Sequence, residues 1–169
     1  DRPMQRLLQG DVGSGKTAVA LLGLRAALDS GLQGAFMAPT ELLAEQHYAF
    51  LRQVIPERYR IGLYTSSSLD DAEALRSGEG HLAVGTHALL QESVRFRALG
   101  LAVVDEQQRF GVEQRRGLTT KAQAPDLLVM TATPIPRTLG LTLYGDLDSS
   151  VIDEMPAGRG EVRTHIRTP

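Results

Sequence analysis

The octet Gly10-Asp11-Val12-Gly13-Ser14-Gly15-Lys16-Thr17 constrains this chain more than any other stretch. It satisfies G-x-x-x-x-G-K-[ST], the pattern of a glycine-rich loop between a strand and a helix. In such a loop the backbone N–H groups point inward and cradle phosphate oxygens, helped by the positive end of the helix that follows. Gly10, Gly13 and Gly15 supply backbone angles and close approach that a side chain would block. Lys16 is placed to reach the β- and γ-phosphates, and the Thr17 hydroxyl to ligate Mg²⁺. All eight residues are therefore candidate nucleotide ligands. The flanks agree. Arg6-Leu7-Leu8-Gln9 reads as a short strand, and Ala18 to Leu28, rich in alanine and leucine, reads as a helix.

Beyond the loop, apolar runs alternate with helical patterns. Strands are expected at Gly34–Ala38, Tyr59–Tyr64, His81–Val84, Leu101–Val104 and Leu127–Met130. Helices are expected at Glu41–Val54, with Thr40 as N-cap, and at Leu69–Arg76, with Asp70-Asp71 near the first turn. This alternation predicts an α/β fold, a mostly parallel sheet with helices on both faces. In such sheets ligands bind at the carboxyl ends of the strands. Thr65-Ser66-Ser67-Ser68 reads as a polar loop. Met155 to Gly160, dense in turn formers, is the linker candidate, and Glu161 to Ile166 looks like a further strand. The boundary expected is one nucleotide-binding unit over 1–154 and a connection over 155–169.

Composition narrows the chemistry. The chain has 169 residues, enough for one domain with a real core, and no cysteine, so disulfides and thiol metal sites are excluded. Its four histidines make no metal-spacing cluster. No apolar run approaches the length of a membrane span, and no signal peptide is visible. A net charge of −2 does not announce a nucleic-acid partner, although phosphate contacts need only a local patch.

Several strand ends carry candidate chemistry. Asp105-Glu106 follows the apolar strand Leu101–Val104, where a P-loop ATPase needs its second acidic motif. Asp105 is suited to hold Mg²⁺ and Glu106 to orient the attacking water. Thr131-Ala132-Thr133 follows Leu127–Met130, and its hydroxyls suit either a relay to the acidic motif or helix capping before Pro134. Pro39-Thr40 and Gly85-Thr86-His87 also follow strands. Small residues, N–H groups and hydroxyls there suit contacts to a nucleic-acid backbone. The same residues also read as turn-and-cap motifs, the plainer explanation, and His87 alone reads as structural. Arg109, Arg115, Arg116 and Lys121 form a basic stretch whose plain explanation is a solvated helix face.

Together the motifs resemble a family. Residues 10–17, Ala38-Pro39-Thr40-Glu41-Leu42-Leu43, Gly85-Thr86-His87-Ala88-Leu89-Leu90, Asp105-Glu106-Gln107-Gln108 and Thr131-Ala132-Thr133 are similar in order and spacing to motifs I, Ia, Ic, II and III of superfamily-2 helicases. Arg6 to Asp11, Ala44-Glu45-Gln46-His47, Arg109-Phe110-Gly111-Val112, Thr133 to Thr138 and the tail from Tyr144 to Glu154 resemble, more narrowly, the bacterial RecG family of DNA helicases. The transcription-repair coupling factors share many of these blocks but differ at the position of Ser14 and in the tail.

The resemblance implies a RecA-like P-loop domain, the first motor lobe of an ATP- and Mg²⁺-dependent translocase on double-stranded DNA that remodels stalled forks and branched recombination intermediates. It implies Lys16, Thr17, Asp105, Glu106 and Gln108 in catalysis and Thr131 and Thr133 in coupling. Pro39, Thr40, Gly85, Thr86, His87 and Arg137 would lie along DNA. Expected partners are branched or forked DNA and, in the same polypeptide, a second motor lobe and a wedge domain. A monomer in the bacterial cytoplasm, associated with the nucleoid and not with membrane, is expected. Alternatives are the corresponding lobe of a coupling translocase, or a nucleotide-dependent binding module without motor activity. The family reads Asp-Glu-Gln-His where this chain has Gln108, and an amide cannot titrate as an imidazole does.

Overall fold

The computed structural model describes residues 3–66, 72–105, 125–132 and 147–153. Within them, strands β1 (Gln5–Gly10), β2 (Gln33–Met37), β3 (Ile61–Tyr64), β4 (Leu82–Gly85), β5 (Leu99–Val104), β6 (Asp126–Thr131) and β7 (Asp148–Ile152) form one sheet in the order β3-β4-β2-β5-β6-β1-β7. Every pairing is parallel. The expected sheet is therefore present. The strands foreseen from apolar runs recur within two residues at each end, and β7 was not foreseen as a strand.

The helices are α1 (Lys16–Asp29), α2 (Glu41–Val54) and α3 (Ala72–Ser77), with a short 3₁₀ helix over His87–Leu90. Their faces follow from handedness. The β1-α1-β2 and β2-α2-β3 units both advance toward the β3 edge, and right-handed crossovers put α1 and α2 on the same side. The β3-α3-β4 unit runs back, so α3 covers the other side.

The core divides accordingly, because successive strand residues point to opposite faces. Phe36, Val84, Leu101, Val103, Leu128 and Met130 pack with Leu24 and Leu28 of α1 and Leu51 of α2. Met37, Ala83, Ala102, Val104, Leu127 and Val129 pack with Leu75 of α3 and Leu89 of the 3₁₀ helix. Central strands covered on both faces read as continuous apolar runs, which explains why β2, β4 and β5 were legible. All five residues of β2 are buried.

At the start of β2 the buried Gln33 staples three segments. Its amide nitrogen donates to the carbonyls of Leu75 (2.8 Å) and Gly80 (2.6 Å), and its oxygen accepts from the N–H of Ala98 (2.8 Å). At the far edge, Arg6 donates to Ser150 Oγ (2.6 Å) and lies 3.8 Å from Asp148, tying β1 to β7.

Candidate functional site

The strand order brings together what the sequence keeps apart. The carboxyl ends of β5, β6 and β1 are neighbours, and they carry Asp105, Thr131-Ala132 and the glycine-rich loop. β6 lies between the other two, so the acidic strand end and the loop face each other across about 10 Å, two inter-strand spacings. The ends of β3, β4 and β2 form the other half of the same edge, with Thr65-Ser66, Thr86-His87 and Pro39-Thr40.

The loop is built for an anion. Gly13 (φ 81°) and Gly15 (φ 99°) are left-handed, a conformation L side chains rarely adopt. Gly10 is constrained differently: a Cβ there would overlap Ser14 Oγ and approach Ile152 of β7 to 3.2 Å. Gly15 is the N-cap of α1 and offers no side-chain acceptor, and the first turn holds no acidic residue. The first N–H groups of a helix lack the usual intrahelical partner; here that of Ala18 turns back to the carbonyl of Gly15 (2.9 Å), and the cap offers no side-chain oxygen to those before it. Contrast α2, where Thr40 Oγ1 accepts from the N–H of Leu43 (3.3 Å) and Glu41 sits in the first turn. One helix start is closed by its own side chains. The other is left open, with a lysine at its first position.

Lys16 is buried, and its Nζ donates to the carbonyls of Gly10 and Asp11, each at 2.8 Å. The ammonium is thus folded over the loop, and moving outward exchanges two carbonyl oxygens for phosphate oxygens of greater charge. Ser14 Oγ is buried with no hydrogen-bond partner among the described residues. Buried hydroxyls are ordinarily paired. An orphan oxygen in the loop, open N–H groups and a buried ammonium make a set that a polyphosphate satisfies.

Asp105 leaves β5 with its N–H donated to the carbonyl of Met37 (2.9 Å). Its Oδ2 lies 3.0 Å from Nε2 of His47, on α2. Both side chains are largely buried, at 16% and 15% exposure, and the imidazole packs against Phe36 at a 42° tilt with centroids 4.5 Å apart. Among the described residues no group of three or more His, Asp or Glu side chains could hold a metal alone. Mg²⁺ is ordinarily held by one or two protein oxygens together with substrate phosphates, and Asp105 and Thr17 are donors of that kind.

In the other half of the edge, capping geometry is plain. Thr86 is buried and accepts at Oγ1 from the N–H of Ala88 (3.5 Å), closing the 3₁₀ helix. Gly85 is dictated by packing, since a Cβ there would stand 2.9 Å from the carbonyl carbon of Tyr64. His87 is exposed and Pro39 and Thr40 are partly so. Glu106, Gln108, Arg109, Arg115, Arg116, Lys121, Thr133 and Arg137 lie outside the described residues, as do Met155–Gly160 and Glu161–Ile166. The His47–Asp105 pair escaped the sequence reading. His47 entered only within a block of resemblance, and nothing local marks a partner 58 residues away.

No helix among the described residues is long and apolar enough to cross a membrane. The DEAD/DEAH box helicase family model matches residues 3–141. The ATP-dependent DNA helicase RecG of Bacillus subtilis is 56% identical over 96% of this chain, and that of Thermotoga maritima 52% over 98%. The chain spans about a quarter of these relatives' length, 25% and 22%. Among solved structures, RecG bound to a three-way DNA junction superposes with a TM-score of 0.78 at 46% identity, over 95% of this chain and 22% of that one. The helicase domain of Hef from Pyrococcus furiosus shares the fold, with a TM-score of 0.68 at 20% identity over 89% of this chain and 35% of that one. The resemblance carried by the sequence blocks therefore stands, and the chain belongs to the DEAD/DEAH box helicase family.

Proposed function

We propose that this chain is the ATP-binding motor lobe of a DNA helicase that acts on branched or forked double-stranded DNA. The observation that carries this reading is the pairing of an open, lysine-bearing helix start at Gly15-Lys16 with a carboxylate at the end of β5. The loop N–H groups and Lys16 bind and orient the triphosphate, while Thr17 and Asp105 hold Mg²⁺, which neutralises charge on the phosphates. Glu106 orients the attacking water, and Gln108 takes part in catalysis as an amide that donates and accepts but cannot titrate. Thr131, at the end of β6 between the loop and Asp105, relays nucleotide state together with Thr133.

The β3-β4-β2 half of the edge, at Pro39, Thr40, Gly85, Thr86 and His87, runs along DNA together with Arg137. Contacts of this kind go to phosphate, so they hold a strand without reading its sequence and weaken as salt rises. A second lobe of the longer polypeptide supplies the cation on the far side of the γ-phosphate, a contribution of roughly 10³–10⁵ in rate. A wedge domain of the same polypeptide holds the branch point, and the protein works as a cytoplasmic, nucleoid-associated monomer.

The test compares ATP hydrolysis by the full-length protein and by this chain alone, each with and without forked DNA. The full-length protein should be stimulated by DNA and lose activity on Lys16→Ala, and this chain should turn over slowly in both conditions. Full-length protein that hydrolyses ATP without DNA stimulation would favour a nucleotide-dependent binding module. Rapid turnover by this chain alone would refute the division between lobes.

A further inference from the structure

We propose that His47 is a positioning residue for the nucleotide-bound metal: its imidazole holds the Asp105 carboxylate and ties it to α2, the helix capped by Thr40. The inference rests on the ATP-site reading above. An ionised carboxylate only accepts hydrogen bonds, so the proton of this contact sits on Nε2, and His47 donates to Oδ2 at 3.0 Å. Three constraints fix the ring. It packs at a tilt against the buried Phe36, it is largely withdrawn from solvent, and it sits about two turns into a helix whose start is capped by Thr40. The backbone N–H of Asp105 is fixed as well, by Met37. With backbone and Oδ2 both held, the rotation of the carboxylate is set and Oδ1 has a defined direction.

The contact also crosses between the two halves of the edge. Thr40 follows β2, in the half that holds the candidate DNA residues, and Asp105 follows β5, in the half that holds the loop. A rigid helix joins them. A displacement of the α2 start therefore reaches the metal-holding carboxylate through one hydrogen bond. Groups that orient metal ligands in this way typically change metal affinity about 10- to 100-fold when removed.

The experiment titrates Mg²⁺ into full-length protein with a fluorescent ATP analogue, and repeats the binding in EDTA. His47→Phe keeps a ring against Phe36 and removes the donor; His47→Gln keeps a donor of similar reach. His47→Phe should raise the Mg²⁺ concentration for half-maximal binding by roughly 10-fold and leave the affinity in EDTA unchanged. His47→Gln should restore most of the wild-type dependence. A purely structural role would instead lower the melting temperature with no separate change in Mg²⁺ dependence. As a measurement that needs no variant, the ¹⁵N resonances of the His47 ring in the wild type should shift when Mg²⁺ is added to nucleotide-saturated protein. An unchanged Mg²⁺ dependence in His47→Phe, or an unmoved His47 resonance, overturns the inference alone. Wild-type protein that binds no nucleotide overturns the ATP-site reading and this inference with it.

Discussion

Gly85→Ala separates packing from DNA contact at one residue. The added Cβ would stand 2.9 Å from the carbonyl carbon and 3.0 Å from the Cβ of Tyr64, and closer still to the carbonyl oxygen. Ordinary carbon–carbon contact is about 3.5–4.0 Å, and the carbonyl oxygen is the tightest of the three contacts, so β3 must retreat by roughly 1 Å or more. β4 cannot give way instead, because all four of its residues are buried between β3 and β2. The retreat also stretches the hydrogen bond from Thr86 N–H to Tyr64 O, now 3.0 Å. Overpacking of this kind costs about 1–3 kcal/mol and a weakened hydrogen bond about 0.5–1.5 kcal/mol. Loss of unfolded-state freedom returns about 0.4–1 kcal/mol. Taken at mid-range the net is a loss of about 2 kcal/mol, and at ~2–4 °C per kcal/mol for a chain of this size the melting temperature should fall by roughly 4–8 °C. Thermal unfolding followed by circular dichroism measures it. A variant that melts within about 1 °C of wild type would refute the reasoning and return Gly85 to the list of residues kept for contact with a ligand.

Gln33→Leu should cost about 3 kcal/mol in urea unfolding, because it leaves the Leu75 and Gly80 carbonyls and the Ala98 N–H without their buried partner; a neutral result would mean that water replaces all three. Lys16→Ala should weaken Mg²⁺-nucleotide binding at least ~10-fold by calorimetry, since a charge-assisted contact is lost; equal affinities would remove the phosphate assignment. The hydrogen bond from Tyr59, then that from Arg25, hold the Asp29 carboxyl below its usual value of 3.8. A carboxylate with a depressed folded-state pKa adds stability above its unfolded value and loses it as pH falls through the folded one. Asp29→Asn should therefore be less stable than wild type at pH 7, and the difference should close in acid below pH 3.8; a difference independent of pH would mean the Asp29 cluster acts by shape alone.

What the sequence determined by itself is what local chemistry determines. The loop at Gly10–Thr17 is a run of consecutive residues whose backbone angles and N–H groups serve one another, so its pattern is complete in the chain. The α2 start at Thr40 is legible for the same reason, because a cap is a hydrogen bond spanning three residues. β2 and β5 were legible because strands buried on both faces need unbroken apolar runs. β7 was not, because an edge strand with exposed Asp148, Ser149 and Val151 carries no such run. Its place beside β1 comes from backbone pairing and from Arg6, some 140 residues earlier in the chain. Only the tertiary structure decided the strand order, and with it the division of one sheet edge into a half that carries the glycine-rich loop and Asp105 and a second half. Only it explained Gly85 by the Tyr64 backbone, Gly10 by Ser14 and Ile152, and Gln33 by three separate segments. The pairing of His47 with Asp105 is of the same kind. Each depends on contacts between segments far apart in sequence, and no periodicity or spacing along a chain encodes which distant carbonyl or carboxylate a side chain will meet.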